Sequence, residues 1–345
     1  MSKHVTGHNF VHLASPMRIT EQIWPEQTVP LLSITCIAYN HVSFICQAIE
    51  GFLMQETTFP VEILIYDDAS SDGTTKIIRN YEYMNPHLIK TLFQEKNKYS
   101  EGEKPGNFLR HLQRGKYLAF CEGDDYWTDP KKLQIQVDYL ESHPECVVSG
   151  HDSFVIDALG NTIKYSVVRS SGRDYSSREL QKGMAILPYG SRLLRNLSHQ
   201  FHYPLNSCYQ GDDIFQLVVL GKHGSSHFHN DISPSAYRIH SGGVWSSMDR
   251  LKKNQTAANN MYFIQLYFLR QGDTQLVKHW GEQWERRAIK AISMRSIFFE
   301  LCYRIIFFEY LKDFILLALG RKRIEKAHLY GNKFINIWRW LIQRK

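Results

Sequence analysis

The 345-residue chain predicts an α/β protein built on a mostly parallel sheet. Two observations carry that prediction. Short, largely apolar runs alternate with segments whose apolar residues fall at helical spacing, the pattern of doubly buried strands joined by crossover helices. Several of these runs end in polar, acidic turns, and open parallel sheets bind their ligands beyond the carboxyl ends of their strands. Apolar residues make up 43% of the chain, which supports a sizeable core and excludes wholesale disorder.

Residues 1–30, with Pro16, Pro25 and Pro30, read as a loosely structured lead-in. The run LLSITCIA (31–38) is the first strand, and Tyr39-Asn40-His41 is a polar turn after it. Ile45, Ala48, Ile49, Phe52 and Leu53 then predict a helix with Ser43 as its N-cap. Residues 61–66 form a second strand, ending in the dense turn signal Asp67-Asp68-Ala69-Ser70-Ser71-Asp72-Gly73. A helix marked by Ile77, Ile78 and Tyr81 follows, then a third strand over 87–93. A fourth, over 116–121, runs straight into Glu122-Gly123-Asp124-Asp125-Tyr126-Trp127. Asp129-Pro130 opens the next helix with Pro at its first position, Leu133, Val137 and Leu140 supply its stripe, and 146–149 is a further strand.

Beyond residue 150 the pattern weakens. Ser170 to Arg173 suggests a mobile loop, 212–220 is helical, and Tyr237-Arg238-Ile239-His240-Ser241-Gly242-Gly243 closes the α/β region. This gives a lead-in at 1–30, an α/β domain at 31–247 divided near 150, and a helical extension at 248–345. Residues 293–319 are apolar but broken by Arg295, Glu300, Arg304, Glu309, Lys312 and Asp313, an amphipathic rather than a membrane-spanning pattern.

The net charge of +7 is unevenly spread: residues 249–345 carry 19 Lys/Arg against 8 Asp/Glu, and the remainder 22 against 26. A basic extension on a mildly acidic body suits an anionic membrane surface or an anionic lipid-linked partner, or simply a solvated helical face. No nucleic-acid-binding motif accompanies the charge, so no nucleic-acid partner is expected. The six cysteines include no C-x-x-C pair. They read as reduced and buried, and with no signal-peptide pattern at the N-terminus the expected location is cytoplasmic. Absence of G-x-G-x-x-G after a strand, of a P-loop and of a G-x-S-x-G elbow disfavours dinucleotide, P-loop and serine-hydrolase chemistry.

Asp124 and Asp125 carry the strongest chemical signal. Two adjacent carboxylates at a strand's end repel one another, and a divalent cation with oxygen ligands, Mg²⁺ or Mn²⁺, satisfies them while leaving positions for substrate phosphates. The other reading is capping and turn chemistry, a task Asp129 already performs for the next helix. Asp67-Asp68 ends the neighbouring unit and faces the same crevice, either as a ligand site or as an Asx-turn.

The segments SITCIAYNH (33–41), QAIEGFLMQ (47–55), VEILIYDDASSDGT (61–74) and GKYLAFCEGDDYWTDPKKLQIQVDYLE (115–141) together resemble the family-two glycosyltransferases of the GT-A fold. The resemblance is close over about 31–150 and looser to 245. It implies a Rossmann-like, mostly parallel sheet and an inverting transfer from a nucleotide-diphospho-sugar to a glycan or lipid-linked acceptor. It also implies roles: Ala38, Tyr39, Asn40, Asp67 and Asp68 toward the base and ribose, Asp124 toward ribose and diphosphate, and Asp125 with Asp124 on the metal. Gly211-Asp212-Asp213 matches the segment that supplies the catalytic base, Asp212 ahead of Asp213, with an N-cap pair as the other reading. Arg238 and His240 fall in a segment that closes over the diphosphate, Arg238 toward phosphate and His240 toward phosphate or metal. Such chains usually build bacterial surface polysaccharide, with the basic extension resting on the inner face of the cytoplasmic membrane. Glu122 takes the first acidic place, a departure from a strict D-x-D.

Overall fold

The computed structural model describes residues 11–197 and 213–291. The chain divides into two compact units, 1–287 and 288–345. The expected boundary at 247 therefore falls inside the first unit. Asp212 and nearly all of 288–345 lie outside the described residues.

The strands are β1 (Met17–Arg18), β2 (Leu32–Ala38), β3 (Glu56–Thr57), β4 (Val61–Asp67), β5 (Ile89–Phe93), β6 (Tyr117–Phe120), β7 (Cys146–His151), β8 (Ser153–Ile156), β9 (Thr162–Lys164), β10 (Leu193–Arg195), β11 (Ser225–His229) and β12 (Ser235–Arg238). The helices are α1 (Ile45–Leu53), α2 (Thr74–Met84), α3 (Pro105–Arg110), α4 (Lys132–Ser142), α5 (Ser177–Gln181), α6 (Asp213–Leu220), α7 (Arg250–Gln271) and α8 (Thr274–Ala291). Among the described residues the central sheet has the order β11-β7-β10-β6-β2-β4-β5. Its β6-β2-β4-β5 half is parallel throughout, as the sequence predicts.

β10 departs from the prediction. It inserts between β6 and β7, antiparallel to both. Three residues in a weakly patterned region carry too little periodicity to mark a strand; pairing on both sides makes it one. The segment expected as a mobile loop contains a 3-10 turn at Arg169–Ser171, followed by α5, whose Ser176 and Glu179 form a reciprocal capping box. Two helix starts also shift. α1 begins at Ile45 with Phe44 as a cap that makes no side-chain bond, in place of Ser43. α4 begins at Lys132, two residues after Pro130, and Asp129 Oδ1 accepts the Lys131 N–H at 2.9 Å.

Layering follows from the two faces of the sheet. Ile34, Cys36, Ile63 and Ile65 are fully buried against Ile45, Ala48, Ile49 and Phe52 of α1 and Leu133, Val137 and Leu140 of α4. Leu118, Phe120, Val148 and Leu194 pack on the other face with Leu180, Leu217 and Phe228. α1 lies close to the acidic turn: a Cβ on Gly51 would stand 3.0 Å from the Trp127 nitrogen, so glycine allows that approach. α7 buries Phe263, Ile264 and Phe268, and Tyr267 meets Phe215 of α6 edge-on at 5.7 Å. Among the described residues no helix is long and apolar enough to cross a membrane.

Candidate active site

Three loops meet at the carboxyl ends of β2, β4 and β6. The turn after β2 is tied to the turn after β4. Asn40 N–H donates to Ser70 Oγ at 2.8 Å and Asn40 Oδ1 accepts the Ser71 N–H at 2.9 Å. His41 N–H donates to Thr74 Oγ1 at 2.8 Å, and Val42 N–H to Asp72 Oδ2 at 3.0 Å. Asn40 takes a left-handed φ of 54°, which asparagine tolerates better than bulkier residues. Ala38 ends β2 opposite Asp67, and its carbonyl accepts the Asp68 N–H at 3.0 Å. Tyr39 is 45% exposed at the mouth of the crevice.

Asp67 and Asp68 are buried and build the loops around them. Asp67 Oδ1 accepts the Ser70 N–H at 3.3 Å, and Asp67 also accepts the hydroxyls of Ser70 and Thr75. Asp68 accepts the Tyr66 hydroxyl at 2.9 Å, the Lys98 N–H at 2.8 Å and the Tyr99 N–H at 3.0 Å. The turn-building role weighed from sequence is thus present in both.

The acidic segment crosses the end of β6. Asp124 Oδ2 lies 2.9 Å from His240 Nε2 and 3.9 Å from His41 Nε2. Donor atoms of these three side chains all lie within 4.8 Å of one another. Burial would raise the Asp124 carboxyl, but the His240 hydrogen bond and the two imidazoles outweigh it and hold it below the ordinary carboxylate range. Asp125 differs sharply. It is 7% exposed, its Oδ1 accepts the Arg238 N–H at 2.7 Å, and burial with the Asp124 charge pushes its carboxyl well up. Glu122 is pushed up to about 8 by burial and by the charges of Asp124 and Asp213.

Arg238 locks this turn. It donates from Nε to the Asp124 carbonyl at 2.8 Å, from Nη1 to the Asp157 carbonyl at 3.2 Å and from Nη2 to Gln47 Oε1 at 2.6 Å. Its guanidinium also lies 4.6 Å from the Phe44 ring centre. The donors expected to face phosphate are therefore engaged with the protein. Asp213 opens α6, and Arg192 Nη1 donates to its carbonyl at 2.8 Å.

Sequence reasoning brought Asp124 and His240 together but missed His41. The signal was present in Gly123: a Cβ there would stand 2.8 Å from His41 Nδ1 and 3.2 Å from the Ala38 Cβ. Glycine at this position implies a close neighbour, but not which one.

Residues 33–197 match the family model for glycosyl transferase family 2. This segment is a family-two glycosyltransferase domain. An uncharacterized protein of Mycobacterium tuberculosis is 46% identical over 127 residues, 36% of each chain. The Escherichia coli UDP-Glc:alpha-D-GlcNAc-diphosphoundecaprenol beta-1,3-glucosyltransferase WfaP is 32% identical over 128 residues, 37% of this chain and 47% of its own. The chain thus spans between a third and a half of these relatives' lengths. Among solved structures, Staphylococcus aureus TarS 1–349 in complex with UDP-GlcNAc superposes with a TM-score of 0.51 at 18% identity, over 68% of this chain and 65% of that one. The Pyrobaculum calidifontis mannosyltransferase PcManGT with GDP-Man and Mn2+ gives 0.50 at 14%, over 71% and 68%. Both establish the GT-A fold of the family-two domain.

Proposed function

We propose that the chain moves a sugar from a nucleotide-diphospho-sugar to an acceptor hydroxyl with inversion at the anomeric carbon, assisted by a divalent cation, Mg²⁺ or Mn²⁺. The observation that carries this is the Asp124–His240 pair at the carboxyl end of β6, beside the interlocked turns after β2 and β4. A carboxylate and an imidazole at 2.9 Å, on a turn whose Arg238 guanidinium is spent on the Asp124 carbonyl, the Asp157 carbonyl and Gln47, suit a divalent ion. When bound, the ion neutralises charge on the departing nucleoside diphosphate.

The chain's own residues supply the rest. The crevice between the β2 and β4 turns takes the nucleoside, Tyr39 bordering the base and the Asp67 and Asp68 loops shaping its wall. Arg238 holds the acidic turn at fixed height by three side-chain hydrogen bonds, so the site is set before substrate arrives. One of the adjacent Asp212 and Asp213 accepts the proton of the acceptor hydroxyl. The similarity to WfaP, a glucosyltransferase acting on a GlcNAc-diphosphoundecaprenol, supports a glycan or lipid-linked acceptor in bacterial surface polysaccharide synthesis. The basic extension supports a location at the inner face of the cytoplasmic membrane, against anionic lipid.

A thermal-shift screen of UDP-, GDP- and dTDP-sugars with and without Mn²⁺ tests the donor reading. Cation-dependent stabilisation by one class, lost in Asp124→Asn, is the expected result. Indifference to every sugar nucleotide overturns it. Hydrolysis that no acceptor redirects marks a phosphohydrolase instead, and binding without turnover a non-catalytic binding protein.

A further inference from the structure

We infer that His41 is a third ligand for the cation held by Asp124 and His240, giving a two-imidazole, one-carboxylate site that prefers Mn²⁺ and similar transition ions to Mg²⁺. The inference rests on the proposed cation site and adds to it a ligand and a selectivity.

His41 is fixed from its backbone. Its N–H donates to Thr74 Oγ1 at 2.8 Å, and its carbonyl accepts the N–H groups of Phe44 and Ile45 at 2.9 and 2.8 Å. The ring stands 6.0 Å from the His240 ring, edge to face, and 6.4 Å from Phe44. Its Nδ1 is buried with no hydrogen-bond partner among the described residues, and its Nε2 lies 3.9 Å from Asp124 Oδ2, too far for a hydrogen bond. Nδ1 faces Gly123, and Nε2 faces the Asp124 carboxylate without bonding it, so a cation between Nε2 and that oxygen would give the nitrogen a partner.

The spacing fits one ion. Ligands held at about 2.1 Å from a common metal are at most ~4.2 Å apart. The three donor atoms lie within 4.8 Å of one another, so closing on an ion needs movements of a few tenths of an ångström. Gly123 leaves the space in which the His41 ring sits. Asp125 is turned away, its Oδ1 on the Arg238 N–H. Imidazole nitrogens suit first-row transition ions, Zn²⁺, Ni²⁺ and Fe²⁺ above all and Mn²⁺ at the weak end of the series, whereas Mg²⁺ favours oxygen ligands and retains water.

The test uses the full chain, with Mn²⁺ or Mg²⁺ alone titrated by calorimetry and nitrogen couplings to bound Mn²⁺ counted by pulsed electron paramagnetic resonance. Two imidazole nitrogens and at least tenfold tighter binding of Mn²⁺ than Mg²⁺ are expected. His41→Gln should leave one nitrogen and weaken Mn²⁺ at least tenfold while Mg²⁺ changes less than threefold. A single nitrogen in the unaltered chain refutes the role of His41 and leaves the cation reading standing. Should His41→Gln not fold, that count on the unaltered chain still decides. No binding of either ion, alone or with a sugar nucleotide, overturns the cation reading as well.

Discussion

Arg238→Lys separates two roles for one buried cation. If the side chain only met substrate phosphate, the change would alter donor affinity and leave the ligand-free protein's stability intact. The structure assigns it a different load. Its guanidinium joins the Asp124 carbonyl, the Asp157 carbonyl and Gln47 Oε1 at 2.8, 3.2 and 2.6 Å. A lysine ammonium is a single point on a flexible stem and cannot span three acceptors on three elements. Hydrogen bonds from charged groups contribute roughly 1.5–3 kcal/mol each. Losing two of them, with one retained, should therefore cost about 3–6 kcal/mol. For a domain of this size each kcal/mol lowers Tm by about 2–4 °C, so the ligand-free protein should melt at least 6 °C lower. The assay is calorimetric unfolding without ligand, paired with sugar-nucleotide titration of the same variant. A Tm within 2 °C of the unaltered protein, with donor affinity sharply reduced, refutes the positioning role and restores direct phosphate contact.

Three further outcomes follow from the same geometry. Gly123→Ala forces a methyl to within 2.8 Å of His41 Nδ1 and 3.0 Å of Ile45 Cδ1. Overpacking of that kind costs about 1–3 kcal/mol, so Tm and Mn²⁺ affinity should fall together, and unchanged values for both contradict the packing described. Lys132 is fully buried, donates to Gln136 Oε1 at 2.6 Å, and is lowered by burial to about 7 from 10.5. The unfolded chain binds its proton more tightly, so the penalty is fully developed below pH ~7 and vanishes above ~10.5, an effect on the order of 5 kcal/mol. Lys132→Met should raise Tm at pH 7 and flatten its rise between pH 7 and 9.5; an unaltered slope refutes the assignment. Asp213→Asn should reduce transfer at least a hundredfold with donor binding within threefold, whereas retained transfer moves the base to Asp212.

The parallel half of the sheet was legible because periodicity is a local property. Residues 31–38 and 61–66 are apolar at most positions, and Ser33, Thr35 and Glu62 do not restore a polar face, a pattern that burial on both faces produces. The acidic turns were legible for a related reason: a strand that ends in adjacent carboxylates announces a site at the sheet's edge. β10 was not legible, because its three residues become a strand only through β6 and β7 on either side. The start of α4 was misplaced because Pro130 suits a first helical position, yet the chain turns for two more residues before the helix begins.

Within the site, the residue types and their order along the chain came from the sequence alone. Which carboxylate faces the imidazoles did not. Adjacent aspartates on a turn point in different directions, and the preferred metal ligand, Asp125, is the one whose oxygen accepts the Arg238 N–H. Asp124 instead meets His240, 116 residues away in the chain. Nothing local to either residue encodes that meeting. The sequence by itself determined an α/β domain with carboxylates at the ends of its strands, because burial patterns and turn chemistry act over a few residues. Only the tertiary structure decided that Asp124, His41 and His240 share one point in space, because three chain-distant loops converge there.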